Sequence, residues 1–96
     1  MAEQLTATAL RYDERLPAPF VVAQGREHLA RRMMDLARRA GVPVASDAEL
    51  AERLLLLKPG DVIPDELYRP VAEIFLFLLE LSKTESKKKS NEENSN

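Results

Sequence analysis

The chain has no cysteine, three glycines and one histidine among its 96 residues. Without a thiol there is no disulfide, no thiolate metal site and no cysteine nucleophile. The lone His28 has only Glu27 as an adjacent carboxylate, which makes neither a metal site nor a catalytic dyad, so it reads as an ordinary residue of a helix's first turn. Gly25, Gly41 and Gly60 fall at element boundaries, and there is no glycine-rich phosphate loop. Charge of one sign is missing too: 14 basic residues nearly balance 16 acidic ones, for a net charge of −2, so no overall field draws the chain to nucleic acid or anionic lipid. The longest apolar run, Ile74 to Leu79, is well short of the roughly 18–20 residues of a membrane-spanning helix. The N-terminus lacks a basic segment followed by an apolar one, which argues against a secretory signal. These absences predict a cytoplasmic protein that is not an enzyme and uses no cofactor or metal.

What is present patterns into strands and helices. Leu5 to Tyr12 alternates, with Leu5, Ala7 and Ala9 on one side and Thr6, Thr8, Leu10 and Tyr12 on the other, a strand with both faces partly covered. Pro17 and Pro19 break it. Phe20 to Ala23 is a short β-branched and aromatic run that predicts a second strand. From Glu27 the period changes: Leu29, Met33, Leu36, Ala37 and Ala40 recur at helical spacing, with Gly41 as the stop. Val42 to Ala45 predicts a third strand, parallel to the second because a helix of crossover length separates them. Ser46 and Glu49 read as a capping-box pair for a helix running to about Leu57, before Pro59-Gly60. Pro64-Asp65-Glu66 is a helix opening. Pro70 then either kinks that helix or opens a new one, which Val71, Ile74, Phe75, Leu78 and Leu81 carry to about Ser82.

Residues 83–96 contain no apolar side chain and cannot bury themselves, which predicts a disordered polar tail after a folded domain at 1–82. The expected fold class is α/β: a small mixed sheet of three or four strands flanked by three or four helices.

Two surfaces stand out. Arg26, Arg31, Arg32, Arg38 and Arg39 share the first helix, either as a solvated face with spaced ion pairs (Glu27 to Arg31, Asp35 to Arg38 or Arg39) or as a docking surface for an acidic partner. RNA or DNA is the weaker reading, because no aromatic or glycine-rich module interleaves the arginines. The last helix is apolar on more than one face, from Ile74 through Leu79. It is either buried between the sheet and the preceding helix or a surface for a partner or a second copy.

The segments ATALRYDE, PAPFVVAQG, GVPV, LAERL and IPDELYRPVAEIF, between Ala7 and Leu81, together resemble the C-terminal cytoplasmic domain of the FlhB/YscU family of flagellar and type III export switch proteins. In that family the first of these segments follows an Asn-Pro-Thr-His turn, where the chain cleaves itself with the Asn side-chain amide as nucleophile. Aligning Tyr12-Asp13 on the family's Tyr-Asp places Ala2, Glu3, Gln4 and Leu5 at that turn. The only asparagines are Asn91, Asn94 and Asn96, so no self-cleaving group is available. The chain thus looks like a free-standing version of the cleaved fragment.

The resemblance implies a part in the export apparatus, peripheral to its gate, where the family's domain docks substrates, chaperones and gate components and helps switch export specificity. The family's strand before the cleavage turn has no counterpart, so Leu5 to Tyr12 is expected to be an open sheet edge, available to a partner or to self-association. Tyr12, Phe20, Arg31, Arg38 and Arg39 are the candidate partner-binding residues. Gln24 stands where the family usually has lysine. The alternative is a small cytoplasmic adaptor or nucleic-acid binder that kept the fold.

Overall fold

A computed structural model describes the backbone of residues 5–94 and the side chains of residues 5–81. Two strands, β1 (Thr6–Arg11) and β2 (Phe20–Arg26), form an antiparallel hairpin. Thr6 lies opposite Arg26 and Arg11 opposite Phe20, with an irregularity between Ala9 and Leu10 where β2 carries one extra residue. The loop between them is held by Asp13, whose carboxylate accepts from the Arg15 backbone N–H at 2.9 Å and from its guanidinium at 2.8 and 3.1 Å. This is the local side-chain to backbone bonding that makes aspartate a turn former.

Helix α1 (Glu27–Arg39) follows β2 directly. It ends as the sequence predicts: Gly41 adopts φ +76°, the Val42 N–H reaches the Ala37 carbonyl at 2.8 Å, and the Gly41 N–H reaches that of Arg38 at 3.2 Å. That pair of bonds satisfies carbonyls the helix would leave open, and the left-handed backbone suits a residue without Cβ. Helix α2 (Ala48–Leu54), a 3₁₀ turn (Asp65–Leu67) and α3 (Tyr68–Asn94) complete the order.

Pairing places Ala7, Ala9, Ala23 and Gly25 on one face of the hairpin and Thr6, Thr8, Leu10 and Gln24 on the other. The small-residue face takes α1, which packs on both strands, while α2 packs on β1. A Cβ added at buried Gly25 would lie 2.5 Å from Leu29 Cγ and 2.9 Å from Leu29 Cβ, so glycine here is what lets helix and strand approach. The main core joins Ala18, Leu50, Leu54, Ile63, Leu67 and Val71, with Leu10, Phe75 and Ile74 packed against it.

Three expectations need correction. Val42 to Ala45 is not a strand, and the described sheet has two strands rather than three or four. The outer edge of β2 is already taken: Val21 N–H donates to Asp61 O at 2.8 Å, Gly60 N–H to Val21 O at 2.7 Å, and Ile63 N–H to Pro19 O at 2.9 Å. That occupies the start of β2, from Pro19 to Val21, and Pro43 could offer no donor to the remainder.

The cap of α2 is Asp47, whose carboxylate accepts from the Leu50 N–H at 3.0 Å, not Ser46 one residue earlier. As expected, Pro64 opens a helical turn, here a 3₁₀ one, and a new helix follows it: α3 starts at Tyr68 with Pro70 in its first turn, where a missing N–H costs nothing. Finally, α3 runs past Ser82, since no proline or glycine follows Pro70. Side chains from Ser82 onward lie outside the described residues, and where a disordered tail is expected at 83–96 the described backbone is helical as far as Asn94.

Candidate docking surface

The two edges of the hairpin differ. The start of β2 is covered by residues 60–63, whereas β1 has β2 as its one ladder partner among the described residues. The Glu27 N–H donates to Leu5 O at 2.7 Å, which makes Leu5 and Glu27 a hydrogen-bonded pair. Antiparallel ladders alternate, so Ala7 and Ala9 also face β2, while the N–H and C=O of Thr6 and Thr8 point away from it. Val21 on β2 obeys the same alternation, since both its backbone groups are turned outward to Asp61 and Gly60. The open edge expected from the sequence is therefore present among the described residues, with Thr6 and Thr8 as its free rungs. The Thr8 hydroxyl is itself buried without a hydrogen-bond partner there.

The predicted contact residues fall into two patches. Tyr12 is exposed just beyond β1, and Phe20, half-buried, starts β2 and bridges to Val62. Arg31, Arg38 and Arg39 are exposed on α1. No hydrogen bond or ion pair joins the two patches among the described residues.

Of the expected ion pairs, Asp35 to Arg38 forms at 3.7 Å. Glu27 to Arg31 does not form among the described residues: Glu27 has φ +53°, which turns it out of the helical register that would bring it over Arg31. Arg26, Arg31, Arg32 and Arg39 have no ionic partner among the described residues.

Gln24, singled out only as a departure, has a structural task. Its side-chain N–H donates to the Leu54 carbonyl at 2.8 Å, tying β2 to the last turn of α2. A polar residue flanked by apolar ones in a short strand is the available signal, but nothing in it names the acceptor 30 residues away.

The α3 stripe of Val71, Ile74, Phe75 and Leu78 turns inward, while Leu76, Phe77, Leu79 and Leu81 remain exposed. The helix is thus not buried on all sides by the described chain. No described helix is long and apolar enough to cross a membrane. Ala2, Glu3 and Gln4 lie outside the described residues. Leu5, the last of the four at the expected cleavage turn, is half-buried and accepts the Glu27 bond.

Residues 5–78 match the FlhB HrpN YscU SpaS family. The chain is 43% identical over 84 residues to the uncharacterized protein YlqH of Bacillus subtilis, covering 86% of this chain and 90% of YlqH. It is 36% identical over 84 residues to the flagellar biosynthetic protein FlhB of Helicobacter pylori, but spans only 24% of that protein's length. Among solved structures, the PscU C-terminal domain superposes with a TM-score of 0.71 at 31% identity, covering 76% of this chain and 95% of that domain.

Proposed function

Because the chain belongs to the FlhB HrpN YscU SpaS family, we propose that it is a non-enzymatic docking component of a flagellar or type III protein export apparatus. In this reading it acts in the cytoplasm in the manner of a cleaved FlhB C-terminal fragment, binding substrates, chaperones or gate proteins and taking part in specificity switching. It either stands in for that fragment or competes with it for partners. The observation that carries the proposal is the edge of β1, unpaired among the described residues, on a domain of this family. An exposed edge with free N–H and C=O groups is a template for strand addition.

Substitution of Thr8 by proline removes an outward-facing amide and leaves the β1–β2 ladder intact, which edge strands tolerate. Pull-down of purified export-gate and substrate proteins by the wild type, with loss on Thr8→Pro and unchanged circular dichroism, is the expected result. If the wild type retains none of these proteins and runs as a monomer, the docking reading is wrong.

The second reading, a retained fold that serves as an adaptor or nucleic-acid binder, is favoured by one observation, the α1 residues Arg31, Arg32 and Arg39 that have no ionic partner among the described residues. Its mark is binding of RNA or DNA that weakens steeply with salt.

A further inference from the structure

An exposed stripe of α1 combines features that neither a solvated helix nor a phosphate-binding one requires. Leu29, Arg32, Leu36 and Arg39 lie three, four and three residues apart, which places them in one stripe along the helix. The two leucines are 53% and 55% exposed. Arg32 and Arg39 alternate with them and make no ion pair among the described residues. Arg32, Asp35, Leu36 and Arg39 line a shallow depression of about 230 Å³. Between residues 26 and 39 five arginines stand against two acids, a local charge of +3 in a chain whose net charge is −2.

We propose that this stripe is a groove for an acidic amphipathic helix of a partner protein, whose apolar residues one heptad apart seat on Leu29 and Leu36 while carboxylates beside them pair with Arg32 and Arg39. The proposal deepens the docking reading above and rests on it for the kind of partner. Charge complementarity selects an acidic occupant. The leucines select a helix over a polyanion, because a phosphate backbone offers nothing apolar to cover them, and Asp35, which lines the depression 3.7 Å from Arg38, adds a negative charge that a polyanion would have to meet. A membrane surface is disfavoured because an interfacial helix needs a broad apolar face, and here two leucines alternate with two cations. Arginine suits the role because its planar fork takes a carboxylate through two hydrogen bonds.

The test uses the full chain and a fluorescent helical peptide of roughly 18 residues, five turns long, with leucines one heptad apart and glutamates flanking them. Control probes are the same peptide with lysine for glutamate, a short DNA duplex and phosphatidylglycerol vesicles. The acidic peptide is expected to bind, Arg32→Glu/Arg39→Glu to weaken it by about tenfold or more, and Leu36→Ala by several-fold. All three positions are solvent-exposed, and circular dichroism of each variant verifies the fold.

No binding of the acidic peptide up to about 1 mM overturns the proposal, as does equal binding by the charge-reversed variant. Tighter binding of DNA or vesicles, lost on arginine reversal but indifferent to Leu36→Ala, overturns it as well. In a parallel pull-down, export proteins that bind wild type and the α1 variants alike, yet fail with Thr8→Pro, leave the docking reading standing while this one falls.

Discussion

The two edges of one hairpin have opposite fates. On β2, residues 60–63 supply three backbone hydrogen bonds around Pro19 to Val21, and Ile63 and Val21 beside them are fully buried. On β1, Thr6 and Thr8 hold their backbone groups outward with no described partner. Among the described residues, closure by backbone hydrogen bonds falls on one side only. The covered side joins the buried core through Ile63 and Val21, and the bare side is the one the docking proposal uses.

The largest expected effect comes from breaking the covered side. Ile63→Ala empties a site between the sheet and α3 and should cost about 2–5 kcal/mol, the usual range for deleting a buried branched side chain. In a domain this small that brings the unfolding midpoint in denaturant close to zero. A loss under about 1 kcal/mol would mean that the 60–63 segment is peripheral.

A proline pair sharpens the contrast on β1 itself. Ala7→Pro removes a donor that faces β2 and should destabilise by about 1–3 kcal/mol, the cost of leaving a buried acceptor unpaired. Thr8→Pro, one residue on, removes a donor that faces outward and should cost distinctly less. Thermal melts of the two variants decide it, and equal losses would show that β1 is paired on both sides.

Gln24→Ala should cost about 1 kcal/mol through loss of the bond to Leu54 O, read as a shift of the denaturation midpoint at constant slope. The smallest effect lies at the hairpin loop. The side-chain and then the backbone hydrogen bonds of Arg15 hold the Asp13 carboxyl below its ordinary value. A group whose folded pKa is depressed adds stability above its unfolded pKa and loses it as pH falls through the folded one. NMR titration of Asp13 in Arg15→Ala should therefore show a raised midpoint. The stability gap between variant and wild type should also close toward acid pH, and being solvent-exposed it is small throughout.

What could be read from the sequence divides along the line between local and distant partners. The stop of α1 at Gly41 and the Asp35–Arg38 pair depend on residues within a turn of each other, and both are found. The Val42 to Ala45 strand fails because strand formation needs a free edge, and the occupation of β2 by residues 60–63 is invisible from a Val-Pro-Val pattern. Ser46 and Asp47 are both good caps, and only the chain's entry angle chooses between them. Of the candidate contact residues, the exposure of Arg31, Arg38 and Arg39 was legible from helical periodicity. The unpaired state of Arg31 was not, because it turns on the positive φ of Glu27, a residue with no sequence mark of such a conformation. The open edge of β1 was legible only by resemblance to a family, since an edge is defined by what fails to lie beside it.

The bond from Glu27 N–H to Leu5 O sits at the end of the ladder farthest from the 12–19 loop, directly where the chain before Leu5 emerges. Mechanically, this decides how the hairpin responds to a pull directed across the strands at that end. Such a pull loads that bond first, then the Ala7 rungs, then those of Ala9, one after another as in opening a zipper. Bonds loaded in sequence yield at far lower force than the same bonds loaded together in shear. The peeling would run outward from Leu5 and meet its strongest resistance at Leu10, where β1 joins the core of Ile63, Leu67 and Val71 and where α1 and α2 pack on the strand.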